Sequence, residues 1–490
     1  MMLSQQRSKL VKSLLENEVL VTEQVLNAIP ENFNFDNFYN NFSTKPQDEE
    51  VLLNEINLYL QENNSAINQK SQERKVKIVV SYTEQSKKRT VADFITYYNK
   101  RYQQIKKILL NRMELSAAIS INKIFSKTEK EQIAIIGIII EKTITKNNNI
   151  VIKLEDPSGE IIAIINKNKP EMYELAKNLV LDEIIGIVGL PKNKVIYISS
   201  LFLPDIPLSK ELKKAPEEEY AVFISDIHTG SRFFLEEQFK KFICFLNSEI
   251  GNETYKKIAE KIKYLFIVGD LVDGVGIYPA QEKELLITDI TQQYIALAKL
   301  LEKVPNHISM IICPGNHDAV RLCEPQPQLD KEFAKELYQL KNAFFVSNPA
   351  IVNIAATETF AGIDVLMYHG YSFDYFIANI DEVRNNGGYD RADLVMKFLL
   401  QKRHLAPTHS ATLYIPETEF DPAVITMVPD LFCTGHLHKV SASNYRNITL
   451  VSSSCWQDTT KFQEKMGHHP EPCRVPIINL QTREVRILKF

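Results

Sequence analysis

The chain reads as an α/β domain from about residue 217 to its end, preceded by an all-β domain and a small helical module. Three observations lead there. Beyond residue 217, apolar runs of strand length alternate with stretches of helical periodicity. Between 116 and 208, five apolar runs are separated by turn residues, with one helical stretch among them. Before residue 66, apolar residues recur at helical spacing.

The N-terminal module is taken as residues 1–65. Leu10, Val11, Leu14, Leu15, Val19, Leu20, Val25 and Leu26 form one helical stripe, which Pro30 ends. ENFNFDNFYNNF at 31–42 reads as a loop, and VLLNEINLYL at 51–60 as a second amphipathic helix. A partner-docking module and a structural appendage both fit. Residues 66–115 read as a basic linker and a helix: 66–90 is polar and charge-rich, and 91–112 has helical periodicity. Its aromatics, Phe94, Tyr97, Tyr98 and Tyr102, suit either base stacking or packing. Residues 1–65 carry 4 basic and 10 acidic side chains, whereas 66–130 carry 15 and 5. The basic block suits a phosphate track as well as a solvated face.

The five runs at 133–140, 149–156, 160–167, 183–190 and 194–203 read as strands, with a helix at 169–179 between the third and fourth. Five strands with a helix in that slot is the plan of an OB-fold, assigned to 116–208. The strands are poor in aromatics, Tyr197 apart. That favours a protein-binding role over gripping a single strand.

From 217 to 490, helices are expected at 235–249, 288–304 and 330–340, and a closing hairpin from VPIINL and VRILKF. Five apolar runs each end in a polar cluster. AVFIS precedes Asp226 and His228; YLFIV precedes Asp270 and Asp273; ISMIIC precedes Asn316, His317 and Asp318; IDVLMY precedes His369; LFCT precedes His436 and His438. Residues just past strand ends face the crevice where α/β sheets build sites. All ten histidines lie at or beyond position 228, and five are in these clusters. Asp226, His228, Asp270, Asn316, His369, His436 and His438 make seven ligand-type side chains, too many for one ion. Imidazole, carboxylate and amide oxygen suit Mn, Fe, Zn or Mg. Two ions sharing a carboxylate would use all seven, the arrangement that clamps a phosphoryl group. His317, beside a ligand position but spare, suits a general acid. Asp318 is expected to hold its other ring nitrogen, and Asp273 to support a ligand. Arg321 suits a phosphate contact or an ion pair. His404, His409, His468 and His469 are left as non-ligands.

The order D-x-H, GDxxD, GNHD, H, GHxH resembles the calcineurin-like metallophosphoesterase superfamily. The flanks DIHTGSRFF, GDLVDGVGIYP, PGNHDAVRLCEPQP, YHGYSFDYF and 456–480 resemble the small subunits of archaeal family D DNA polymerases. The resemblance implies a two-sheet αββα sandwich with two divalent ions, Mn first among them. One ion would take Asp226, His228, Asp270 and His438; the other Asp270, Asn316, His369 and His436. It implies a 3′–5′ exonuclease acting on DNA, with a large catalytic subunit and the sliding clamp as partners. The docking face is expected to include Trp456 and the strand Val475–Leu480. Eukaryotic B-subunits share this plan without the ligands; here every ligand position is filled. A non-catalytic scaffold and a stand-alone phosphoesterase are the alternatives.

No apolar stretch reaches the ~18 residues of a membrane span, and a cytoplasmic protein is expected. Six cysteines without a CxxC pair argue against a disulfide scaffold or zinc ribbon.

Overall fold

The apolar runs that precede the polar clusters form strands in two stacked six-stranded sheets. In the computed structural model, residues 76–83, 87–126 and 131–490 are described. The helical module expected over 1–65 lies outside them, as does the first part of the basic linker. Strand β1 (Val76–Ser81) comes first, then helix α1 (Val91–Leu109). The next five strands are β2 (Ile133–Ile144), β3 (Ile150–Asp156), β4 (Gly159–Ile165), β5 (Ile184–Lys192) and β6 (Val195–Phe202). Helix α2 (Pro170–Lys177) stands between β4 and β5.

These five strands close into a barrel of order β2-β3-β4-β6-β5. Alternate residues point inward, as a pleated strand requires: Ile150, Ile152 and Leu154 of β3 join Ile135, Ile139, Ile187 and Ile196 in its core. Helix α1 ties the barrel to the α/β domain. The Tyr102 hydroxyl donates to the Ile136 carbonyl of β2 at 3.0 Å. Arg101 Nε, on the same helix, donates to buried Asp421 at 2.6 Å.

The α/β domain contributes β7 (Tyr220–Ile224), β8 (Ile262–Val268), β9 (Ser309–Cys313), β10 (Ala343–Phe345), β11 (Ala350–Ile354) and β12 (Ile363–Met367). It continues with β13 (Leu431–Thr434), β14 (Ser441–Tyr445), β15 (Ile448–Ser452), β16 (Arg474–Asn479) and β17 (Val485–Lys489). One sheet has the order β10-β9-β8-β7-β16-β17, the other β1-β11-β12-β13-β15-β14. Ala221, Phe223, Tyr264, Phe266 and Val268 face the second sheet's Val352, Val365, Met367, Leu431 and Cys433. The alternate residues Val222, Ile224, Leu265 and Ile267 face helices Glu236–Leu246 and Ile290–Leu301. Helices Phe373–Asn379 and Ala392–Lys402 cover the far side of the second sheet. Both faces of the central strands are thus dry, which is why their sequences are nearly continuous apolar runs.

Three expectations need correction. Residues 76–81 are not linker: β1 pairs antiparallel with β11, Ile78 opposite Val352. As an edge strand it exposes Ile78, Val79 and Val80, so it lacks the two-faced burial that marks the central strands. Trp456 and Val475–Leu480 are not a docking face. The indole packs edge-on against Phe239 with centroids 4.9 Å apart and is 1% exposed, and β16 lies between β7 and β17. The helix at 330–340 shrinks to Lys335–Tyr338. The Asp330 carboxylate accepts from the Glu332 N–H at 2.8 Å, a local turn that competes with helix.

Candidate metal centre

Asp226 and His228 follow β7, Asp270 and Asp273 follow β8, and Asn316 and His317 follow β9. All three strands run parallel, so their ends lie side by side. His369 follows β12 and His436 and His438 follow β13, a parallel pair in the facing sheet. The loops of both sheets turn into one cleft of about 480 Å³. Turning there needs unusual backbone. Asp226, His228, Asp270, His436 and His438 all adopt positive φ, between 51° and 70°, a conformation costing of order 1–3 kcal/mol at non-glycine residues. The turns are held from below: Asp226 N–H donates to the Gly269 carbonyl at 3.0 Å, and Trp456 N–H to the Asp226 carbonyl at 2.9 Å. The glycines of the clusters allow the strand ends to close up. A Cβ on Gly315 would lie 2.3 Å from Asp270 Oδ1, and one on Gly435 2.7 Å from Asp226 Oδ2.

The donors gather in two groups. In the first, His228 Nε2 and His438 Nε2 are 3.1 Å apart, and His438 Nε2 is 3.3 Å from Asp226 Oδ1. In the second, His369 Nε2 is 3.3 Å from Asp270 Oδ2 and 3.0 Å from Asn316 Oδ1, and His436 brings a nitrogen within the same small radius. Asp270 Oδ2 also lies 4.0 Å from His228 Nε2, so this carboxylate stands between the groups.

The remaining ring nitrogens test whether cations fit. A metal-ligating imidazole usually gives its second nitrogen to an oxygen acceptor. His369 Nδ1 meets the Val268 carbonyl at 2.9 Å, His228 Nδ1 lies 3.2 Å from Asp273 Oδ1, and His436 Nε2 meets Asp374 Oδ2 at 2.8 Å. His369 and His436 are thus hydrogen-bonded from behind, Gln463 Nε2 lies 3.1 Å from His438 Nδ1, and His228 Nδ1 faces Asp273 without a hydrogen bond; the donor set fits divalent ions. Burial opposes ionisation of Asp270, but the imidazoles of His369 and His317 hold its carboxyl well below the usual range. Burial also opposes protonation of His369, yet the Asp270 carboxylate lifts it to about 10.

His317 lines the cleft beside these groups. Its N–H donates to Asp270 Oδ1 at 2.8 Å, and its Nδ1 meets the Asp273 carbonyl, also at 2.8 Å. Asp318, expected to hold that nitrogen, does not. Its carboxylate accepts from the N–H groups of Gly315 (2.8 Å) and Leu271 (3.2 Å) and from the Tyr294 hydroxyl (3.1 Å). It clamps the turn, because its side chain points back under the loop. Burial, with the charge of Asp270, pushes its pKa up to about 7. Arg321 is tied down by its Nε to the Pro325 carbonyl at 3.0 Å and lies over the Tyr82 ring. His404 bonds Asp421 and His409 bonds Tyr414, away from the cleft. His468 lies at the rim, its ring 4.4 Å from that of Tyr389.

Sequence reasoning missed three supports. Asp374 sits on the helix Phe373–Asn379, with only its closeness to His369 in sequence as a signal. Gln281 and Gln457 grip Asp273 at 3.1 and 2.8 Å. Gln281 stands far from a strand end, and Gln457, five residues past β15, belongs to none of the five polar clusters.

The calcineurin-like phosphoesterase family profile matches residues 221–440. The chain is 37% identical to the DNA polymerase II small subunit of Methanothermobacter thermautotrophicus over 79% of this chain and 78% of that one. It is 38% identical to that of Methanocaldococcus jannaschii, over 80% of this chain and 64% of that one. Against the Archaeoglobus fulgidus protein it is 37% identical, over 79% and 75%. Identity of this order over about four-fifths of the chain leads to one assignment: the chain belongs to the family of archaeal DNA polymerase II small subunits, those of the family D polymerase.

Proposed function

We propose that the chain is the proofreading subunit of a heterodimeric replicative polymerase and removes nucleotides from DNA in the 3′ to 5′ direction. The observation that carries this reading is the convergence of seven donors from five strand ends into two groups that share Asp270. Asp226, His228, Asp270 and His438 would hold one ion, and Asp270, Asn316, His369 and His436 the other. Two divalent ions, Mn first among them, supply an activated water and neutralise charge on the phosphoryl group. The protein's own part is orientation and proton handling. Val268 and Asp374 fix the imidazoles of His369 and His436, and His317 is the proton donor for the leaving 3′ oxygen. In this reading the barrel of residues 116–208 is an OB-fold that docks protein rather than DNA. The large catalytic subunit named by implication in its relatives is the partner, and residues 217–490 are the phosphoesterase domain.

The test is end-labelled single-stranded DNA with Mn²⁺, with and without the large subunit. A ladder shortening from the 3′ end, lost in Asp270→Asn, is the expected result. Intact DNA under all conditions, or internal cleavage only, would sink the reading.

A further inference from the structure

The stretch CEPQP at 323–327, past β9, carries no metal donor, yet it reaches two of them. Its Gln326 is buried and meets Asn348, also buried, which stands between β10 and β11. Their backbones pair: Gln326 N–H donates to the Asn348 carbonyl at 2.8 Å, and Asn348 N–H to the Gln326 carbonyl at 3.0 Å. The side-chain amides add a second link. His369 N–H donates to Asn348 Oδ1 at 2.9 Å, Asn348 Nδ2 to Gln326 Oε1 at 2.7 Å, and Gln326 Nε2 to the Gly315 carbonyl at 3.0 Å. Gly315 is the residue directly before Asn316. Three hydrogen bonds, all running in one direction, thus connect the backbone of His369, past β12, to that of Asn316, past β9 in the other sheet. The same stretch holds the neighbour of His369 as well: Glu324 Oε2 accepts from the Tyr368 hydroxyl at 3.2 Å.

Amides suit such a chain because each offers a donor and an acceptor in one plane. In a dry interior the linked bonds polarise one another, and leaving one unmade is costly. Neither Gln326 nor Asn348 lines the cleft, so neither is placed to touch an ion or a substrate. What they fix is a distance. His369 Nε2 and Asn316 Oδ1 stand 3.0 Å apart, although they belong to loops of different sheets. The Val268 carbonyl holds the His369 ring, and Asn348 holds its backbone N–H. We propose that Gln326 and Asn348 are positioning residues for the second ion, setting the spacing of His369 and Asn316 across the gap between the sheets. Asp226, His228 and His438 take no part in the chain of amides, so its effect falls on one ion and not on the other. This rests on the two-ion reading above.

The test is a calorimetric titration of the full chain, stripped of metal, with Mn²⁺. It compares the unaltered protein with Gln326→Met and Asn348→Leu, which keep the volume and remove the hydrogen bonds. His369→Ala identifies the binding step that belongs to the second ion. In Gln326→Met and in Asn348→Leu that step should weaken by roughly 10- to 100-fold, with the first step unchanged. In a His369→Ala background, Asn348→Leu should alter the remaining step no further, since the two act through one contact. Variants that bind both ions as the unaltered chain does, or that weaken both steps alike, would overturn the positioning role and leave the two-ion reading standing. A single step, or none, in the unaltered chain would overturn both. If the variants do not fold, hydrogen exchange in the unaltered chain decides. An ion that binds only the closed arrangement stabilises it, so amides of residues 345–350, a segment without ligands, should exchange more slowly once the second ion binds. Exchange there that ignores the second ion would overturn the role.

Discussion

His317 and Asp374 show how single residues divide the work at the cleft. His317 is fastened through its backbone to Asp270 and through Nδ1 to the Asp273 carbonyl, so its ring is placed without being needed as a ligand. His317→Ala should keep its metal, measured by elemental analysis, while hydrolysis slows by roughly 10²- to 10⁴-fold. Loss of both ions from that variant would make it a ligand instead. Asp374 stands behind His436 at 2.8 Å. Removing such a support typically weakens metal affinity by about 10- to 100-fold. Asp374→Ala should therefore lower Mn²⁺ affinity by that order in a calorimetric titration, with one site affected more than the other. Equal weakening of both sites would place its effect on the fold rather than on His436.

Among the elements, α1 decides how the barrel is joined to the sheets. Arg101 is 2% exposed and donates to Asp421, to the Pro407 carbonyl (2.9 Å) and to the Tyr97 hydroxyl (2.9 Å). Part of the basic excess of 66–130 is thus consumed internally rather than offered to phosphates. The aromatics of α1 follow suit: Tyr97 and Tyr102 are buried, and Tyr97 stacks on Tyr414 with centroids 5.1 Å apart. Arg101→Ala would leave Asp421 buried without its charge partner, a loss on the order of 3–5 kcal/mol, readable as a large drop in Tm. The same node gives a pH dependence. Burial, aided by the nearby Arg101 charge, brings the His404 pKa down to about 4, below its unfolded value of about 6.5. The fold therefore favours neutral His404. Its contribution is complete above pH ~6.5 and is lost as pH falls from there through ~4. Asp421, whose carboxyl is held low against burial by Arg101 and His404, keeps its contribution throughout that window and loses it only below the ordinary carboxylate value of about 3.9. Tm should fall between pH 6.5 and 4, and His404→Gln should flatten that part of the curve. An unchanged slope in the variant would show that other groups control it.

At the scale of the whole molecule, the C-terminal strands complete the sheet that carries half the site. β16 pairs with β7, Ile477 opposite Val222, directly before Asp226. A chain ending at Ser454 should therefore lose its cooperative thermal transition and its metal, not merely a partner. Retention of both, by circular dichroism and elemental analysis, would contradict the role given to β16. Saturated intact protein should hold about two ions per chain. Saturation at one, unaffected by His369→Ala, would mean that the second group of donors is not a metal site. The six cysteines are all free, four of them buried, and among the described residues no helix is long and apolar enough to cross a membrane.

The chain order of the five clusters, their position after apolar runs and the ligand-type residues in them were legible from sequence. The reason is local: a strand buried on both faces writes a continuous apolar run, and the residue after it is placed by the strand's end. The same logic exposed the barrel strands, whose turns carry Asn, Gly and Pro. What tertiary structure alone decided depends on residues far apart in the chain. The edge strand β1 gains its place from β11, some 270 residues on. The side chain of Asp318 turns under its loop because the N–H of Leu271 and the hydroxyl of Tyr294 await it there. Asp374 reaches His436 because β12 and β13 lie side by side, Gln281 reaches Asp273 because the loop after β8 folds back, and Gln457 reaches Asp273 from the facing sheet; no periodicity encodes contacts that depend on how loops and sheets come together.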